Sequence, residues 1–199
     1  MKFQMIVATT ALSLTTAIPA KAVTVAQLEV AGIRIGDKIA SVTPKLVAKG
    51  YRNTVQSLGK CNGSYQTLIN EALKKRQTRI DGRVTCEEEW RKPGSGFSVG
   101  YLVSPAGYIV DSVGYQFDSP QTAETIGAQL SAKFGRPDVN EYGLMRWKIE
   151  GVSEFGAQYF NRSNSNTHSI EINGNMQDTV INKMNQEIVR RLGPIKNDL

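Results

Sequence analysis

One histidine and two cysteines are all that 199 residues offer toward a soft-metal site. A structural zinc centre takes four ligands from such residues, so no metal is expected, and no motif for a nucleotide or other cofactor is present. Past the first two dozen positions, no apolar run approaches the roughly 20 residues needed to cross a bilayer as a helix. A membrane-spanning chain is therefore not expected. Basic residues outnumber acidic ones, 24 to 18, yet no series of aromatics interleaves with them as stacking on single-stranded nucleic acid would require.

What the N-terminus does contain is organised. Lys2 precedes an apolar stretch from Met5 to Leu14, and Pro19 then leads into Ala20-Lys21-Ala22. A positive start, a short apolar core and a small-x-small exit are the three parts of a secretory signal. The expectation is cleavage between Ala22 and Val23, with residues 1–22 removed and the product periplasmic or secreted. The competing reading is an uncleaved anchor, for which the apolar stretch is short. Residues 23–199 then carry a formal charge of +4 and suit one domain. In an oxidising compartment, Cys61 and Cys86 read as one disulfide. Closing that loop would stabilise by about 3 kcal/mol in the chain-entropy model. Two buried free thiols are the alternative.

The pattern along the chain is that of an α+β protein, with helices packed on one face of an antiparallel sheet. Leu28–Ile35 alternates as a strand. Asp37 is placed to cap a helix carrying Ile39, Val42 and Leu46, in which Pro44 predicts a kink or a restart. Tyr65, Leu68, Ile69 and Leu73 mark a second helix. Phe97–Val103 and Ile109–Phe117 flank Pro105-Ala106-Gly107 as a hairpin. Asp118-Ser119-Pro120 predicts a helix start, and Ala123, Ile126, Leu130 and Phe134 line the helix that Gly135 ends. Strands are expected at Leu144–Ile149, Phe155–Asn161 and His168–Asn173, with a polar loop at Arg162–Thr167. A last helix starts near Asp178 and ends at Leu192. Helix followed by strands occurs twice, so 23–117 and 118–199 read as possible halves of a single domain.

Two stretches carry a resemblance. Gly32–Asp37 leading to Leu46 and Gly50-Tyr51 resembles the opening of uncharacterised exported proteobacterial α/β proteins. Tyr115-Gln116-Phe117, a helix ending Leu130–Pro137, and a strand with Trp147 are similar to envelope modules of the BamE and β-lactamase-inhibitor-protein type. That resemblance implies a binding or scaffolding module rather than an enzyme. The chain lacks the lipoprotein cysteine of BamE, so tethering to the outer membrane is not implied, and Pro44 is a further departure.

Four constellations bear on chemistry. Gly96-Phe97-Ser98-Val99-Gly100 matches the G-x-S-x-G pattern, and Asp111, Asp118 and His168 follow it in the order of an α/β-hydrolase, which makes a small secreted serine hydrolase the alternative function. That motif works on a strand-to-helix turn, whereas Ser98 reads as lying inside a hairpin strand. His168 itself reads as a surface residue at a strand end. Glu87-Glu88-Glu89, taken as a strand, splits with Glu88 facing away from its neighbours. Lys74, Lys75, Arg76, Arg79 and Arg83, with Arg91 and Lys92 further on, form a possible anion-binding segment, or a solvated helix end that complements the dipole. Tyr101, Tyr108, Tyr115, Trp147 and Tyr159 read as cross-strand packing rather than an open aromatic face. The function expected is a non-enzymatic module of the cell envelope, its partner a protein or an anionic envelope polymer and not nucleic acid.

Overall fold

The computed structural model describes residues 23–55, 63–80, 82–141, 143–152, 154–161 and 166–193. The expected leader, Cys61 and most of the Arg162–Thr167 loop lie outside them.

The alternating stretch near the start is not one strand but a miniature hairpin. β1 (Glu29–Val30) pairs with β2 (Ile33–Arg34). Ala31 and Gly32 between them take φ of 49° and 88°, as a tight primed turn demands, so the chain reverses in mid-pattern. Helix α1 (Ile39–Ala48) follows, burying Val42 and Leu46. Its N-cap is Lys38, not Asp37. Asp37 instead accepts from the Lys45 ammonium at 2.7 Å. Pro44 lies inside a single continuous helix, which forgoes the bond to the Ala40 carbonyl but does not restart.

β3 (Arg52–Val55) precedes α2 (Tyr65–Lys74), whose N-cap Ser64 accepts from the Thr67 N–H at 3.1 Å. Three long strands form a meander: β4 (Thr85–Lys92), β5 (Ser95–Ser104) and β6 (Gly107–Asp118). β6 runs through Asp118, so the next helix starts later than Asp118-Ser119-Pro120 implies. α3 (Ala123–Phe134) is capped by Thr122, whose hydroxyl accepts from the Thr125 N–H at 3.3 Å. Then come β7 (Val139–Glu141), β8 (Leu144–Lys148), β9 (Phe155–Asn161), β10 (Thr167–Asn173) and α4 (Gln177–Leu192).

The strands from β3 onward form one sheet in the order β3-β4-β5-β6-β10-β9-β8-β7, antiparallel at every junction. The α+β architecture with an antiparallel sheet and helices packed on it is the one the sequence implies. The order is palindromic: four strands are laid inward from one edge, four from the other, and β6 meets β10 in the middle. The main core lies on one side of this sheet. Val99, Val113, Ile172, Ala157 and Trp147 follow one another across the strands, and α1 and α3 press Leu46, Ile126, Leu130 and Phe134 against that side. α2 and α4 pair over one end of the sheet, where Ile69, Ala72, Met184 and Ile188 meet Leu102 and Val103.

Among the described residues, no helix is long and apolar enough to cross a membrane.

Candidate functional site

Side chains alternate across a strand, so the residues between the core positions must appear together on the other side. Cross-strand register assembles them into rows. One runs Glu89–Ser98–Gly114–Glu171–Gln158–Arg146, from β4 to β8. The next runs Glu87–Gly100–Ser112–Asn173, and a third links Arg91, Gly96, Gln116, Ser169, Phe160 and Leu144. Glycine and serine occupy β5 and β6 here, which leaves a floor of bare backbone with taller side chains on either side.

The result is a trough. A cavity of about 600 Å³ lies over Ser98, Gly100, Ser112 and Gly114, walled by Glu87 and Glu171 and bounded at one end by Arg83, Asp111 and Gln177. A second cavity of about 580 Å³ lies beside it over β8 and β9, lined by Arg146, Lys148, Glu154, Phe155 and Gln158. Glu171 and Asn173 line both, so the two cavities lie side by side along β10. Close packing keeps the floor low. A Cβ on Gly100 would run into the Ser112 hydroxyl.

Three carboxylates of this face have hydrogen-bond partners but no ion pair among the described residues, whereas Glu89 on the same face pairs with Arg91 at 3.4 Å. Glu87 accepts from the Ser98 hydroxyl and Glu171 from the Gln158 amide. Asp111 is the extra residue of a bulge, since Gly100 pairs with Ser112 while Tyr101 pairs with Val110. The bulge turns its carboxylate toward α4, where Oδ1 accepts the Met176 N–H at 3.0 Å. Burial pushes its pKa above the usual carboxylate value, against the pull of that hydrogen bond. Among the described residues, none of Glu87, Asp111 and Glu171 takes part in an ion pair. At the opposite end, the Arg146 guanidinium lies 5.3 Å over the Phe155 ring, and its buried Nε has no hydrogen-bond partner.

Each described candidate from the sequence has a definite place. Ser98 lies within β5 on the trough face, paired with Glu89 and Gly114, not on a strand-to-helix turn. His168 is on the other face and is not a surface residue. It is 2% exposed and stacks on Phe117 and Tyr159 at 5.5 and 6.0 Å. Its Nδ1 lies 2.8 Å from the Tyr159 hydroxyl and 3.0 Å from Asn161 Nδ2. A flanking phenol and amide, both from β9, draw the ring inward where the polar loop beside it suggested solvent. Ser98 and His168 therefore stand on opposite sides of the sheet and do not converge.

The glutamate triplet divides as alternation requires. Glu88 turns to the core side, accepting from Trp90 Nε1 and the Tyr101 hydroxyl at 3.2 Å each. Tyr101, Trp147 and Tyr159 are buried, and burial raises the Tyr101 pKa strongly. The basic segment is exposed but spread out. Lys74 and Lys75 end α2, Arg76 takes a φ of 54°, Arg79 borders a groove along α4, and Arg83 reaches the trough. Cys86 is buried on β4, and no described cysteine is free.

The trough itself is absent from the sequence reading. Glu87, Ser98, Ser112 and Glu171 are single polar letters in separate strands, and only register brings them together. No protein-family model matches the chain, and comparison with curated proteins and with solved structures found no match.

Proposed function

We propose that the protein is a non-enzymatic binding module of the cell envelope that takes a protein partner on the uncovered polar face of its sheet. The observation that supports this reading is the asymmetry of that sheet. One side is closed by α1 and α3 over an apolar core, while the other keeps two adjoining cavities, one floored by Gly100, Gly114, Ser98 and Ser112. Small residues in mid-strand forgo packing and β-propensity, which is consistent with a surface meant to be approached by another backbone. The envelope setting rests on residues 1–22 and on a Cys61–Cys86 disulfide, both part of the same proposal.

A photo-crosslinking amino acid at Ser98, compared with one at the exposed Val47 on α1, tests the reading in cells that express the full chain. The expected result is one recurring protein adduct from position 98 and none from position 47. Equal adducts from both positions, or none from either, would overturn it.

A further inference from the structure

Resting on that reading of the open face, we infer that the partner presents an extended segment with a basic and an acidic side chain four or five residues apart. The basic one enters the acidic end of the trough, and the acidic one meets Arg146 and Lys148. The argument is from charge. Glu87, Asp111 and Glu171 surround the cavity over β5 and β6, and none has an ionic partner among the described residues. Among the described residues that line it, Arg83 is the one cation. Burial disfavours the Asp111 carboxylate in its charged form, and an incoming ammonium or guanidinium would reverse that cost.

The second cavity carries both signs. Arg146 and Lys148 line it with Glu154 and the shared Glu171, and neither cation takes part in an ion pair among the described residues. An arriving carboxylate supplies these cations with a counter-charge, and a guanidinium favours a carboxylate over other acceptors. Sheet spacing sets the distance between the two ends. From β6, which carries Asp111, across β10 and β9 to β8 is three strand intervals, or roughly 14 Å at about 4.8 Å each. Extended chain covers that in four or five residues at about 3.3 Å apiece. An anionic polymer would be repelled from the first cavity.

The test selects a displayed library of random linear dodecapeptides on the full chain, then measures synthetic copies of the winners by fluorescence anisotropy. Winners should carry Lys or Arg and Asp or Glu at the stated separation. Affinity should fall at least tenfold for E87Q/E171Q and for R146Q/K148Q, and binding should vanish when S112W fills the floor. S98Y, on the neighbouring strand, blocks the same floor independently should S112W fail to fold. Winners that lose binding on S112W or S98Y but lack the charge pair would overturn this inference and leave the open-face reading standing. Winners indifferent to both blocking variants, or no winners at all, would overturn the two together.

Discussion

Trp147 joins two elements through a single ring. It is 1% exposed, and its Nε1–H donates to the Gly135 carbonyl at 2.8 Å, which ties β8 to the exit of α3. Trp147→Phe keeps part of the packing but removes the donor to that half-buried carbonyl, and losing such a hydrogen bond costs about 1 kcal/mol. Urea denaturation should show that loss. Titrations add two further residue-scale expectations. Hydrogen bonds from Arg190 and then Arg191 hold the Glu187 carboxyl down at about 2, against an ordinary 4.5. Because the folded value is the lower one, this stabilisation is complete above pH 4.5 and disappears as pH falls through about 2. Thermal melts of E187Q should therefore lie below wild type at pH 6 and coincide with it near pH 2, by a small margin because the cluster is exposed. Tyr115 moves the other way. Burial, with the Tyr51 hydroxyl beside it, pushes it up to about 12 from 10. Its contribution is intact below pH 10 and is lost as pH rises through about 12, so Y115F should flatten the alkaline end of a stability profile.

Among the elements, the turn before β8 is the least forgiving. Gly143 has a φ of 78°, and a Cβ there would come within 2.8 Å of the Asn161 carbonyl oxygen, a backbone atom at the end of β9. Gly143→Ala should cost more than about 1 kcal/mol, since the backbone strain adds to the clash. Denaturant midpoints measured beside a G107A control, where a Cβ meets nothing within 4 Å, would separate strain from contact. The elements also show what a sequence makes visible. The β5–β6 hairpin, α3, α4 and β8 to β10 were legible because apolar residues recur in them at periods of two or 3.6. β4 was not, since Thr-Cys-Glu-Glu-Glu-Trp-Arg-Lys hides a buried Cys86 and Trp90 among five charges. β3 and β7 are short edge strands with little apolar content. The trough was illegible for a different reason: its residues are small and polar, and nothing local distinguishes them from solvated strand positions.

At the scale of the molecule, Ser98 and His168 on opposite faces imply a specific chemical outcome. A fluorophosphonate probe should leave the folded protein unlabelled, because Ser98 has a carboxylate and no imidazole beside it. Labelling at Ser98 that S98A removes would revive the hydrolase alternative. Under the proposed export, mass spectrometry of the product should find Val23 at its N-terminus and, without reductant, no alkylation of either cysteine.

The meeting of β6 with β10 at the centre of the sheet also governs how the polypeptide reaches its native state. A chain emerging N-terminus first completes β6 long before β10 exists, and until then the future midline is a twelve-residue ribbon with open amides. Such ribbons recruit neighbours. Release that stalls before residue 173, or cleavage within the β9–β10 connection, should therefore yield intermolecular aggregates rather than a smaller soluble half.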